Sequence, residues 1–331
     1  MTPNRRGALL ALIAFGIFAS HDAIIKYLGG AYSPFQIVFF SVIFGFPMVT
    51  FLLMRDASHG NLIPVHPWWT AARTVAVVIT ASAAFYAFTS LPLTQVYAIL
   101  FAAPLLITVL AIPLLGERVG LRRALAVLVG LGGVLVVLRP GATDLSAGHL
   151  AALAAAICGA FGSVIVRKIG REERSVVLIL YPMMANVVLM GSVMPFVYVP
   201  LPGQDLALLA VIALLALLGT TCLIYAYRFA TAATVAPMQY SQIIWAGAFG
   251  ALLFDEGLDL ATLLGTGIII ASGLYIVFRE ERGGRSTTTP VLRTRSRIAA
   301  PAGPRVAPFL PDARRGMQSG SATRPDGGAA S

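Results

Sequence analysis

Long apolar runs follow one another along this chain, each near the ~20 residues that an α-helix needs to cross a bilayer. Ten can be drawn, at about 7–28, 34–54, 68–89, 93–115, 121–138, 148–166, 177–199, 205–227, 235–254 and 261–278. The connections are short and polar, or carry Pro and Gly, as in Leu201-Pro202-Gly203-Gln204 and Arg139-Pro140-Gly141. Only Ser90-Leu91-Pro92 separates the third run from the fourth, and a proline there, lacking its N–H, argues for a break.

The pattern also repeats. From Gln95 to Arg139 a long apolar run leads through a charged turn at Gly116-Glu117-Arg118 into a second, glycine-rich run. Thr234 to Arg279 follows the same plan around Asp255-Glu256. Setting Glu117 on Glu256, an offset of 139 residues, brings Leu114, Leu121 and Leu125 onto Leu253, Leu260 and Leu264. Repeats that divide a membrane protein into halves often mark transporters. The expected division is a short amino-terminal segment (1–6), two five-helix halves (7–140 and 141–279) and a tail (280–331).

Composition decides the class. Charged residues are 11% of the chain against about 25% in soluble domains, and hydrophobic residues are 58%, so the expectation is an all-α polytopic membrane protein. Arg5-Arg6 and the apolar run to Ser20 have the look of a signal peptide. The run continues past that point and many more follow, so it is read as the first span. Cys158 and Cys222 lie inside apolar runs and offer no disulfide framework. Of the net charge of +10, six units come from the tail after Arg282, where eight arginines stand against two aspartates among Pro, Gly, Ser and Thr, a disordered composition. Such a basic tail suits anionic lipid headgroups or simply holds the terminus inside.

Basic residues orient the spans. With the amino terminus in the cytoplasm, the inner connections carry Arg5, Arg6, Arg55, Arg118, Arg122, Arg123, Arg167, Lys168, Arg171, Arg174 and Arg228. The outer ones carry only Lys26 and Arg139. Both termini are therefore expected in the cytoplasm. Five spans per half is an odd number, so the halves are expected to be inverted relative to each other.

The region 7–279 resembles the EamA-type transporters of the drug/metabolite transporter superfamily. The likeness is carried by Leu115-Gly116-Glu117-Arg118 with the glycine-rich span after it, by Ala236-Pro237-Met238-Gln239-Tyr240 leading to Asp255-Glu256, and by Tyr225-Ala226-Tyr227-Arg228. Ser20-His21-Asp22-Ala23-Ile24-Ile25-Lys26 is similar to the branch that includes S-adenosylmethionine carriers. The resemblance implies a ten-helix inverted-repeat fold whose central cavity is lined mainly by the first four helices of each half. Two positions depart from it: Ser41 stands where relatives often carry arginine, and Asp255 where they tend to carry glycine.

Several polar side chains fall inside these spans. Asp22 lies about 22 Å along the first helix from Gly7, where a carboxylate costs about 2.5–3.5 kcal/mol unless offset. Two readings stand: an ion pair with Lys26 one turn on, or a protonatable, substrate-facing carboxylate beside His21. Arg73 either snorkels or grips a substrate carboxylate or phosphate. Tyr86, Gln95 and Tyr97 in the first half, with Tyr225, Gln239, Tyr240, Gln242 and Trp245 in the second, are candidates to line a polar cavity. Trp68 and Trp69 fit an interfacial belt. Pro104 falls mid-helix and is a candidate hinge. Glu117 and Glu256 read as stop signals and caps. The small faces Ala126/Gly130/Gly133 and Gly265/Ser272 suit close packing within the chain, or a homodimer.

The expected function is secondary transport of a small polar or amphipathic metabolite, amino-acid-like or S-adenosylmethionine-like, across a bacterial-type inner membrane by alternating access. Its partners are that solute and the bilayer, with no nucleic acid and no cofactor. There is no Walker A sequence or metal-ligand cluster. An intramembrane lipid-modifying enzyme would need clustered His, Asp or Ser, and the nearest approach is His59 and His66 near Asp56. A membrane scaffold would show no saturable flux.

Overall fold

The computed structural model describes residues 3–54, 62–117, 119–140, 145–170, 172–230, 232–257 and 259–282. The ordered elements among them are helices: α1 (Pro3–Leu28), α2 (Pro34–Met54), α3 (Pro67–Ser90), α4 (Leu93–Leu100), α5 (Ala103–Leu115) and α6 (Leu121–Leu138). The second half follows with α7 (Ala147–Ile169), α8 (Ser175–Val197), α9 (Gly203–Phe229), α10 (Ala232–Val235), α11 (Gln242–Leu253) and α12 (Leu260–Arg282). A 3-10 turn over Ala236–Ser241 joins α10 to α11. Eight stretches are long and apolar enough to cross a membrane, with α4 and α5 counted as one span, Leu93–Leu115. The second run keeps a shorter apolar stretch, Pro34–Pro47, and the ninth is broken into α10, the turn and α11. Helix α1 starts at Pro3, so the short segment expected before the first span is already helical.

Local sequence sets the ends. Pro67 opens α3, where its missing N–H costs nothing. Ser146 caps α7, its hydroxyl 2.9 Å from His149 Nδ1. Gly116 ends α5 in the left-handed conformation, at φ 69°.

The most extensive helix pairings are symmetric under exchange of the halves. Helix α1 lies along α9, and its counterpart α7 lies along α3; α2 meets α8, and α6 meets α12. The last crossing shows why glycine is needed. A Cβ on Gly133 would stand 2.8 Å from the carbonyl oxygen of Gly265, and one on Gly265 would stand 2.6 Å from that of Gly133. Ser272 donates to the carbonyl of Ala126 in the same seam. Ala126 and Gly265, like Gly133 and Ser272, are 139 positions apart, so the crossing is built from offset mates. The two small faces thus meet each other within the chain.

Loops are clasped in the same paired way. The Gln36 amide bonds the Val199 backbone twice, accepting its N–H at 2.9 Å and donating to its carbonyl at 2.7 Å. The Tyr32 hydroxyl donates to Asp205 at 2.5 Å, and that carboxylate pushes the phenol up to about 12. On the other loops, Glu173 accepts the N–H groups of Val65 and His66 at 3.2 and 3.0 Å. The basic tail, Arg55, Asp56, His59, Arg118 and Arg171 lie outside the described residues.

Candidate functional site

The fourth and ninth spans are both interrupted. Pro104 sits in the first turn of α5 and has no N–H to continue the ladder. Helix α4 therefore closes at Phe101 and Ala102, whose N–H groups reach Tyr97 and Ile99 at 2.9 and 3.1 Å. The expected hinge proline thus lies just past a real break. In the ninth span Pro237 opens the 3-10 turn, which ends at Tyr240-Ser241 before α11. The offset of 139 sets Phe101 on Tyr240, and these two rings touch edge-to-face, centroids 5.1 Å apart. Interrupted backbone at membrane depth is tolerated only where protein or a polar cavity covers it, and transporters place solute sites at such breaks.

Helix α1 brings a carboxylate to this junction. Asp22 is fully buried, its Oδ1 2.6 Å from His21 Nδ1, and its Oδ2 accepts the Tyr97 hydroxyl. His21 stands edge-on to Phe85 at 6.3 Å, and Tyr97 packs against Phe88 at 5.6 Å and Phe101 at 6.1 Å. Contacts therefore run unbroken from His21 through Asp22, Tyr97 and Phe101 to Tyr240. The Tyr240 hydroxyl occupies a notch in α12, where a Cβ on Gly273 would stand 2.1 Å away. One residue past the turn, Gln242 is buried, and its Nε2 finds no hydrogen-bond partner within the chain. Trp245 stacks on Phe249 at 6.2 Å and lies over Gly16 of α1.

The other expected residues divide. Gln95 and Gln239 are half-buried on the interrupted segments. Tyr86 and Tyr225 are more exposed, and Tyr225 carries the Arg228 guanidinium over its ring at 5.5 Å. Arg73 is placed elsewhere. Its guanidinium bonds the carbonyl of Leu178 at the start of α8, about 22 Å along α3 from Phe88. The expected pairing of Asp22 with Lys26 gives way to another: the Lys26 ammonium lies 2.6 Å from Glu256 and donates to the Leu91 carbonyl at 2.6 Å. Lys26 is one turn nearer the end of α1, where the glutamate closing α11 comes within reach, whereas Asp22 faces α4. Nor are Glu117 and Glu256 mere stop signals, since each pairs with a largely buried cation. Phe101 and Gly273 escaped the sequence reading, although the offset from Tyr240 points directly to Phe101.

Chemically, a buried carboxylate with one phenol and one imidazole partner is equipped to take a proton or an ammonium group. Two copies of the EamA-like transporter domain match residues 5–139 and 146–278. The chain belongs to the EamA-like transporter family. It is 26% identical over 274 residues to the S-adenosylmethionine uptake transporter of Rickettsia felis, covering 83% of this chain and 92% of that one. The pseudopaline exporter of Pseudomonas aeruginosa is 25% identical over 281 residues, covering 84% and 98%. An uncharacterized transporter of Helicobacter pylori is 27% identical over 289 residues, covering 81% and 92%. A solved crystal structure with 18% identity superposes at a TM-score of 0.56 over 84% of this chain and 98% of the other, which speaks for the fold alone. The EamA family and these relatives are transporters rather than enzymes, and this chain is an integral membrane protein that shares their small-molecule transport function.

Proposed function

We propose that this EamA-family protein is a secondary transporter in which two inverted halves rock about the Phe101–Tyr240 junction and pass an ammonium-bearing metabolite, amino-acid-like or S-adenosylmethionine-like, past Asp22. The observation that carries the reading is the fully buried Asp22, bonded by Tyr97, beside two helix breaks related by the repeat. A cationic group there recovers part of what burial of the carboxylate costs. The relatives' names favour this substrate class: S-adenosylmethionine carries an ammonium and a sulfonium. One relative is named for uptake and another for export, as expected if the imposed gradient sets direction. The eleven-to-two bias of basic residues supports a bacterial plasma-membrane setting with both termini in the cytoplasm.

Purified protein in liposomes, offered labelled S-adenosylmethionine and a panel of labelled amino acids with and without a pH gradient, tests this. Saturable counterflow of at least one is expected. Folded, reconstituted protein that shows no saturable flux for any of them ends the reading.

A further inference from the structure

Two largely buried acid–base pairs join the halves, and they are built alike. In one, Glu256 binds Lys26 at 2.6 Å and accepts the N–H of Leu93 at 3.0 Å; the Lys26 ammonium also lies 5.4 Å from the Phe254 ring. In the other, Glu117 binds Arg167, while the neighbouring Lys168 donates to the Leu114 carbonyl at 2.8 Å. All four charged side chains are at most 14% exposed. Each glutamate follows a left-handed residue, Gly116 at φ 69° or Asp255 at φ 53°. Each returns its own N–H to the carbonyl six residues back, Glu117 to Ala111 at 3.4 Å and Glu256 to Gly250 at 2.9 Å. Each cation stands two residues before the end of the first helix of the opposite half, Lys26 before Leu28 and Arg167 before Ile169.

Their positions relative to the membrane differ. Glu256 sits on the first N–H of the span Leu93–Leu115, and Glu117 lies just past its last residue. The pairs are therefore separated by the length of that span, about 34 Å at 1.5 Å per residue. Each joins the end of an interrupted helix in one half to α1 or α7 of the other. A buried pair is costly to break while dry, because each charge is left uncompensated, but the cost falls once water reaches both partners. Such a contact has two stable arrangements, dry and closed or wet and open.

We infer that Lys26–Glu256 and Arg167–Glu117 are the two gates of the molecule, one at each membrane face, and that opening either face separates its own pair while the other stays closed. This rests on the alternating-access reading above. The test uses a chain with Cys158 and Cys222 replaced by serine and one reporter, Ala246→Cys, at a fully buried position one turn beyond Gln242. Sealed vesicles of both orientations are treated with a membrane-impermeant maleimide, with no solute present. Neutralising both partners at once, in Lys26→Met/Glu256→Gln or Arg167→Met/Glu117→Gln, leaves no unpaired buried charge and so preserves the fold. The first pair is expected to raise reporter labelling about 5-fold or more from the Glu256 face, and the second likewise from the Glu117 face. The reversed pair Lys26→Glu/Glu256→Lys is expected to return labelling to the parent level. Unchanged labelling in both neutral pairs, or a rise from the same face in both, overturns the gates. Counterflow of labelled S-adenosylmethionine and of the amino-acid panel is measured alongside. Flux with unmoved labelling rejects the gates alone, and face-specific labelling without flux of any panel member rejects the transport reading alone.

Discussion

Asp22 carries the candidate site, and its surroundings separate a transport role from a packing role. Its carboxylate is fully buried and shares its oxygens with the Tyr97 phenol and the His21 imidazole, two groups able to exchange a proton with it. A hydrogen bond to a charged acceptor contributes about 1.5–3 kcal/mol, so Tyr97→Phe is expected to lower counterflow about 10-fold or more. Asp22→Asn keeps the shape but removes the charge, and is expected to abolish counterflow. Both variants are expected to melt within a few degrees of the parent in the same detergent. Melting that falls in step with flux would make Asp22 a packing residue. The sequence exposed Asp22 because a lone acid in an apolar run is expensive, and it named the adjacent His21, which does lie against the carboxylate. Helical spacing also names Lys26, four residues on, but it could not name Tyr97, which lies 75 positions away on α4 and donates to Asp22. Spacing along one helix carries no information about which helix packs beside it.

Between elements, backbone approach matters more than charge. Where α6 crosses α12, a methyl on Gly133 would press on the backbone of Gly265, whereas one on the adjacent Gly132 meets nothing within 4 Å. Gly133→Ala is therefore expected to destabilise by about 1–3 kcal/mol. Gly132→Ala, relieved of glycine's helix penalty, is expected to stabilise by up to about 1 kcal/mol. Thermal scans of the two purified variants should move in opposite directions, and shifts of the same sign would place the crossing elsewhere. Span positions and small-residue faces were legible because lipid demands long apolar runs and close crossings demand small side chains. The break in the fourth span was half-legible through Pro104. The 3-10 turn at Ala236–Ser241 was likewise signalled only by Pro237 at its start; its contacts with the Phe101 ring and the notch at Gly273 are tertiary and left no trace in the local run.

Across the whole molecule, one offset organises features that share little sequence identity. The glutamate turns, the interrupted helices meeting at Phe101 and Tyr240, and the seam between α6 and α12 all recur at 139 positions. Helix pairings that survive exchange of the halves imply two copies of one fold. If each copy crosses the bilayer five times, as the sequence leads one to expect, the second must enter from the face the first leaves. Leu121 and Leu260 test this directly, since they are offset mates at the starts of α6 and α12 and are 76% and 70% exposed. With the native cysteines replaced, Leu121→Cys is expected to label with an impermeant maleimide from the cytoplasmic face and Leu260→Cys from the opposite face. Labelling of both from one side would mean parallel halves. Glu117 and Glu256 would then share a face, and the molecule would have no second end for a gate to close.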